Sequence, residues 1–233
     1  MKFTGRSLIG LSCIAASSLV FGQATTVQRS VEGRALNLVI PAGYCVLDVD
    51  SVMGKEWYVF QEKLIEGRGA VILTYASCAE VEKRKANPES PVSNHGAYVT
   101  IYPFGASAVV PPGFTRQQTV SFISSTIPRI ANEKAGEDVN ARIRQVDLDK
   151  QLQLSGLTIG FLDEDKDAVY AGMVSWIQRG ASKTRTIGVG GFTLVADLVV
   201  STNLYADEGP NVSFGDLLER QRKLMQELVA RNP

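Results

Sequence analysis

The stretch LTIGFLDEDKDAVYAGMVSWIQRGASKTRTIGVGGFTLVADLVVSTNLYA, residues 157–206, decides the fold. Four of its segments are rich in β-branched and aromatic residues: Leu157–Leu162, Ala168–Ile177, Thr186–Val195 and Leu198–Ala206. Short polar or glycine-bearing turns separate these segments, which is the pattern of antiparallel strands joined by hairpins. The sequence therefore predicts a four-stranded antiparallel meander in the C-terminal third of the chain.

A helix is predicted to follow the meander and to close the chain. Ser213 stands where the N-cap of this helix is expected, and Leu217, Leu224 and Leu228 recur at helical spacing on one face. Burying each of these side chains stabilises the fold by about 1.5–3 kcal/mol. We therefore expect this leucine face to hold the helix against the sheet.

The first third of the chain alternates strand, helix and strand patterns. Ala35–Ile40 and Ala70–Ala76 are apolar strand segments, and Ser51–Glu66 between them places its apolar residues on one helical face before Gly67. We expect a β-α-β unit in which the two strands are parallel neighbours. Between Asn132 and Leu154 helix and strand patterns compete, so no element is assigned there.

These patterns together predict an α+β fold with a largely antiparallel central sheet flanked by helices. Residues 35–233 are expected to form a single domain, and the polar residues 25–34 a loose N-terminal segment.

The first 24 residues have the anatomy of a secretory signal peptide. Lys2 and Arg6 precede an apolar run that ends in small residues, so cleavage is expected after Ala24. An uncleaved N-terminal anchor is the alternative, but the run is short for a membrane span. We expect a periplasmic or secreted protein.

Charge is balanced and dispersed along the chain. The 24 basic and 24 acidic residues form no block, which argues against a nucleic-acid partner, since such binding needs a concentrated positive surface. After the signal peptide no apolar stretch has membrane-spanning length, so no integral membrane segment is expected. The predicted partner is an unidentified envelope protein or small ligand.

Two cysteines remain after signal cleavage, Cys45 and Cys78. An even number of thiols in an oxidising compartment favours a disulfide. In the β-α-β unit each cysteine follows the carboxyl end of a strand, which would bring the two sulfur atoms to one sheet edge. The alternative is a reactive thiol: Cys78 would lie in the first turn of a helix, which favours the thiolate, with His95 as its base.

His95 is the only histidine, which excludes metal sites built on two or three histidines. It lies in the polar sequence NPESPVSNHG, residues 87–96, and is predicted to be exposed in a surface loop. No nucleophile motif accompanies it, and no catalytic residue or cofactor is assigned.

Asp163, Asp165 and Asp167 alternate as the carboxylates of calcium loops do. A complete EF-hand loop would also need glycine and glutamate where this chain has Ala168 and Val174. The three aspartates are therefore interpreted as a solvated hairpin turn, with a weak calcium site as the alternative.

The glycine-rich segment GVGG, residues 188–191, is not predicted to bind phosphate. It lacks the lysine of a phosphate-binding loop and does not lead from a strand into a helix. A bulge or bend within the meander is the expected role of these glycines.

Aromatic residues divide between core and surface in this interpretation. Trp57 and Trp176 are expected to pack in the core, as large apolar side chains usually do. The proline-rich loop from Tyr102 to Phe114, with Phe104 in it, is a candidate interaction loop, although folding of this loop over the core is the more common outcome.

Some of these segments resemble known proteins. PAGYCVLD (residues 41–48), a helix and then YASCAEVE (residues 75–82) resemble a group of exported bacterial proteins with no assigned activity. LVIPAGY near the start and LVVSTNLYAD with LLERQRKLMQEL near the end are similar to PsbP-like folds. That resemblance implies helices flanking a central antiparallel sheet, in accessory or binding proteins that are not enzymes.

The expected function is therefore that of an exported accessory or binding protein without catalysis, acting through a surface or groove. Two alternatives stay open. One is a hydrolase or thiol enzyme built on Cys78 or on an unidentified serine, and the other is a structural component of the cell envelope.

Overall fold

The computed structural model describes residues 24–88, 90, 92–102, 107–129, 152–179, 182–210 and 212–233. The predicted signal peptide up to residue 23, Phe104, and all but the last residues of the undecided segment 132–154 lie outside this part of the chain.

Nine strands and four helices occur within these ranges. The strands are β1 Thr25–Val31, β2 Arg34–Ile40, β3 Tyr44–Val46, β4 Gly69–Ser77, β5 His95–Ile101, β6 Leu152–Glu164, β7 Val169–Arg179, β8 Ser182–Val195 and β9 Leu198–Asp207. The helices are α1 Val52–Ile65, α2 Cys78–Ala86, α3 Arg116–Thr126 and α4 Phe214–Arg231.

Seven of the strands form one sheet in the order β3-β4-β5-β9-β8-β7-β6, and every neighbouring pair in it is antiparallel. The predicted α+β class and the largely antiparallel central sheet are confirmed. The predicted meander is present as β6 to β9. Ala196 and Asp197 form the two-residue turn between β8 and β9, both with positive φ as the twist of a tight hairpin requires.

The predicted parallel β-α-β unit is wrong. β2 pairs only with β1, in a separate two-stranded antiparallel sheet, and β4 pairs with β3 and β5. The apolar run of β2 buries Leu36, Leu38, Val39 and Ile40 against the face of the large sheet, so its hydrophobicity serves packing between layers.

The prediction of a loose segment at residues 25–34 is also wrong. Thr25–Val31 pairs with β2 along its whole length, through a tight turn at Glu32 and Gly33, which both have positive φ. The Glu32 carboxylate accepts hydrogen bonds from the Ala108 amide, at 3.0 Å, and from the Ser107 hydroxyl. The polar sequence of β1 fits an outer strand whose partner is the buried one.

The two faces of the large sheet are covered by different elements. On the front face α4 packs on strands β8 and β9, β2 packs in the same core cluster, and α4 buries Leu217, Leu224 and Leu228 as predicted. Ser213 caps α4 in a reciprocal arrangement with Asp216. On the back face α1 and α3 pack in two further clusters, so the sheet is buried on both sides.

The remaining helix boundaries follow local signals. α1 begins after its N-cap Ser51, and Gly67, with φ of 73°, lies just beyond its end. Ser77 precedes α2 without a side-chain cap bond, and Glu80 in the first turn of α2 accepts hydrogen bonds from the backbone and side chain of Asn94. None of the helices in the described residues is long and apolar enough to cross a membrane.

Candidate functional site

A disulfide joins Cys45 and Cys78, whose Cα atoms are 5.0 Å apart. The predicted bond is confirmed, but the geometry that makes it differs from the prediction. Cys45 lies on β3 opposite Ala76 of the antiparallel strand β4, and the Cys78 amide donates to the Gly43 carbonyl at 2.9 Å. With both sulfur atoms bonded, Cys78 has no thiolate to offer. The bond fits a periplasmic or extracellular protein.

His95 is buried, with 2% of its surface exposed, so the prediction of an exposed loop histidine is wrong. It is the first residue of β5, directly opposite Tyr205 of β9. The imidazole lies between two aromatic rings: the centroid of Trp57 is 3.9 Å away, and that of Tyr205 is 5.0 Å away in a stacked arrangement. The alternation of His95, Ala97, Val99 and Ile101 was the available sign of a strand with one apolar face.

A small cavity opens beside His95 on the back face of the sheet. Its volume is about 30 Å³, room for about one or two water molecules. We call it the His95 cavity. Its lining comes from α1, β5, β6, β7, β8 and β9, and comprises Phe60, Leu64, His95, Leu157, Met173, Ser175, Ile177, Thr186, Gly188 and Tyr205.

The lining is apolar with a few polar groups, and none of its ten residues carries a carboxylate, an ammonium or a guanidinium group. Burial raises the pKa of Tyr205 well above its ordinary value of 10.0, so its hydroxyl stays protonated. Thr186 Oγ1 donates to Asp207 at 2.8 Å. The cavity therefore presents hydroxyl groups and an imidazole on an uncharged wall, the composition of many small-molecule sites.

Two buried donors lie directly behind this lining. Trp57 and Gln61 are 8% and 1% exposed, and Trp57 Nε1 and Gln61 Nε2 have no hydrogen-bond partner among the described residues. The Trp57 ring lies against His95, and the Gln61 side chain lies near the Tyr205 hydroxyl. Leaving a buried donor unpaired costs about 1–3 kcal/mol, so unpaired donors are an unusual feature in this part of the core.

The glycines of β8 shape the floor of the cavity. Strand pairing runs without interruption through residues 188–191, so the predicted bulge or bend is wrong. A Cβ at Gly188 would lie 2.7 Å from the Tyr205 ring, and one at Gly190 would lie 2.7 Å from Asn203 Oδ1. These positions are glycine because neighbouring side chains lie flat across the strand.

Asp163 lies near the end of β6, Asp165 and Asp167 lie in the turn that follows, and each of the three has protein partners. Asp165 Oδ1 accepts from the amides of Asp167 and Ala168, and its other oxygen accepts from the Tyr170 hydroxyl at 2.9 Å. Asp163 pairs with Arg222, and Asp167 lies 3.8 Å from Arg116. The described residues contain no group of three or more His, Cys, Asp or Glu side chains that could hold a metal ion.

The other candidate residues lie apart from the cavity. Tyr102 is half-buried against the front-face core, and Phe114 is 39% exposed just before α3. Trp57 is buried as predicted, whereas Trp176 is 40% exposed, so its predicted burial is wrong. Trp176 lies on the front face near one end of β7, where the Lys183 ammonium is 5.1 Å from its ring centroid.

Apart from His95, the residues of the cavity were not predicted as site residues from the sequence. The sequence offered no motif for Ser175 and Thr186, which lie opposite each other on β7 and β8, and no motif for Gln61 on α1. Comparison of the chain with protein-family models and with curated proteins gave no match.

Proposed function

We propose that this chain is an exported periplasmic accessory protein that binds a small ligand in the His95 cavity without catalysing a reaction. The observation that carries the proposal is the cavity itself, where apolar walls and a few polar side chains converge on one face of the sheet. The disulfide supports an extracytoplasmic location.

The wall of the cavity suits retention of a ligand. Phe60, Leu157 and Ile177 are buried apolar residues that can contact an apolar body, while Ser175 and Thr186 can fix its orientation by hydrogen bonds. Leu64 and Met173 are only half-buried. Because the cavity has a volume of only about 30 Å³, it must widen to hold an organic ligand. A change of rotamer at these two side chains would widen it, and methionine is well suited to such adjustment.

The test is recovery of a small molecule from protein purified from its native compartment. The denatured protein is extracted and analysed by mass spectrometry, with Ser175→Leu as the variant that fills the cavity. Val174→Leu is the matched control, because Val174 neighbours Ser175 on β7 but packs in the front-face cluster. We expect the wild type and Val174→Leu to carry the same compound at similar occupancy, and Ser175→Leu to lose it. Equal recovery from all three proteins, or recovery from none, would contradict the proposal.

A hydrolase is the second candidate, because Ser175 and the only histidine line the same cavity. In that case Ser175 would be the nucleophile and His95 its base. A fluorophosphonate probe that labels the wild type but not Ser175→Ala would favour the enzyme over the binding protein.

A further inference from the structure

Strand β3 lies at one edge of the large sheet, and one side of its backbone has no partner among the described residues. Its inner side bonds to β4, where the Leu47 amide donates to the Thr74 carbonyl at 3.0 Å. Hydrogen-bonded positions alternate along an antiparallel pair, so both backbone groups of Val46 point away from β4. The same alternation directs the Tyr44 carbonyl and the Asp48 amide outwards. β3 therefore presents two donors and two acceptors in a row.

Apolar side chains accompany this edge. Val46, Val49 and Val52 are 36%, 50% and 78% exposed. They are three of the six large hydrophobic side chains that are exposed within the described part of the chain, and they lie within seven residues of one another. Exposed apolar residues that stand alone are ordinary, but a group of them beside an unpaired strand indicates an interaction surface.

The other strand edges are less suited to pairing. β6, at the opposite end of the sheet, has register shifts after Ser155 and after Phe161, and the Phe161 amide already donates to the Pro128 carbonyl at 2.8 Å. Such irregularities interrupt the row of backbone groups that a second strand would need. β1, the edge of the small sheet, exposes no large hydrophobic side chain. These differences favour β3 as the edge that pairs.

We propose that the β3 edge pairs with the β3 edge of a second copy of this chain, antiparallel and centred on Val46. In this register the two Val46 residues exchange hydrogen bonds, and the Asp48 amide of each copy donates to the Tyr44 carbonyl of the other. Every outward donor and acceptor is then satisfied. The arrangement has twofold symmetry and joins two seven-stranded sheets into one. Because it uses both β3 edges, the assembly ends at the dimer.

Charge complementarity supports this register. Residues directly opposite each other project from the same face of a sheet, so Asp48 of one copy lies beside Tyr44 of the other. The Arg220 guanidinium lies over the Tyr44 ring, 5.6 Å from its centroid, and donates to the Tyr44 hydroxyl at 2.5 Å. Each Asp48 carboxylate therefore approaches a cation of the second copy. The contact is short, so the dimer should be weak and reversible.

Amide hydrogen exchange of the mature chain, with its disulfide intact, tests the pairing at single residues. The Val46 amide should become protected as the protein concentration rises from about 5 to about 500 µM, because its protection follows the population of the dimer. The Cys45 amide is the internal control, since it faces β4 and should be equally protected at both concentrations. Sedimentation equilibrium over the same range measures the dissociation constant.

Charged substitutions at the symmetry axis test the register. Val46→Lys and Val46→Glu each place two like charges opposite one another, so each variant should dimerise at least about tenfold more weakly than the wild type. An equimolar mixture of the two variants should associate about five- to tenfold more tightly than either variant alone, which also shows that both are folded. Gln117→Lys is the matched control. It adds the same charge on α3, which packs on β6, β7 and β8 away from this edge, and should leave the dissociation constant unchanged.

Three results would overturn the inference. One is a wild type that stays monomeric throughout this concentration range. Another is a dimer in which the Val46 amide still exchanges at the rate of the monomer, because the contact would then involve another surface. The third is a mixture of the two charged variants that associates no more tightly than either alone. These outcomes are separate from the ligand-extraction experiment, since Val46 does not line the His95 cavity.

Discussion

Removal of the Cys45–Cys78 disulfide is the perturbation whose magnitude follows most directly from the structure. The two cysteines are 33 residues apart in sequence. A cross-link that closes a loop of this length lowers the entropy of the unfolded chain by an amount worth about 3.7 kcal/mol at 25 °C. We expect Cys45→Ala/Cys78→Ala to lose about this much free energy of unfolding, since the unfolded variant is no longer constrained by the cross-link.

Urea unfolding of the wild type and of the double variant measures the effect. For a slope of about 2 kcal/mol per molar urea, the midpoint should fall by about 2 M. The thermal midpoint should fall by about 7–15 °C, the shift expected for a domain of this size. The double variant also serves as the control for treatment with dithiothreitol. The reductant should lower the urea midpoint of the wild type to that of the variant, and it should not change the midpoint of the variant.

Two results would refute this reasoning. One is a wild-type midpoint that shifts by less than about 0.5 M urea although peptide mapping shows the bond opened, because such a shift corresponds to about 1 kcal/mol, well below the loop-closure value. The other is non-reducing peptide mapping that recovers no fragment linking Cys45 to Cys78.

Three further predictions concern the core and ionisable groups. Leu224→Ala should lower the free energy of unfolding measured in urea by about 2–5 kcal/mol, because the Leu224 side chain lies in the main core and is 5% exposed. Gln226 is exposed on the same helix, so the control Gln226→Ala should change the free energy of unfolding little. Hydrogen bonds from Ser107 and Ala108 lower the pKa of Glu32 below its ordinary value of 4.5. The wild type should therefore be more stable than Glu32→Gln above pH 4.5, and this difference should vanish as the pH falls through the pKa of Glu32 in the folded protein. Burial raises the pKa of Tyr98 and of Tyr205 above 10.0, so the free energy of unfolding should be retained below pH 10 and should fall as the pH rises above it. The ultraviolet absorbance of tyrosinate from these two residues should appear only together with unfolding.

The C-terminal half of the fold could be predicted from the sequence because its strand and helix patterns are long and involve residues close together in the chain. Strands β6 to β9 carry β-branched and aromatic residues between short turns, and α4 carries a regular leucine face and a serine cap. In such segments each neighbour in sequence is also a neighbour in space, so periodicity and turn chemistry determine both the element and its partner.

The prediction for the N-terminal half was wrong because an apolar run does not determine which surface it packs against. Ala35–Ile40 has the composition of a central strand, yet it packs across the face of the sheet and pairs only with the polar strand β1. The turn at Gly43, which has φ of 79°, leads from β2 into β3, and β3 pairs with β4 and not with β2. The prediction of the disulfide was correct because an even number of cysteines favours a disulfide whether the neighbouring strands are parallel or antiparallel.

The cavity could not be found from the sequence because its wall combines side chains from six elements. Phe60 and Tyr205 are far apart along the chain, and neither belongs to a motif. His95 was wrongly predicted to be exposed because a polar segment with two prolines precedes it. Its burial depends on contact with Trp57 from α1, which the local sequence does not reveal. Such a site depends on register and helix placement, which periodicity alone does not determine.

The shortness of β3 has a consequence for self-association. A sheet edge offers unpaired backbone groups to any other extended chain, and short edge strands limit that template. β3 covers the end of the nine-residue strand β4 with only three residues, and the disulfide fastens it there. Reduction would leave β3 held by its backbone pairing alone, so β3 would separate more easily and expose the Tyr75–Ser77 end of β4 to a second molecule. A reducing environment should therefore promote aggregation of the folded protein before it promotes unfolding.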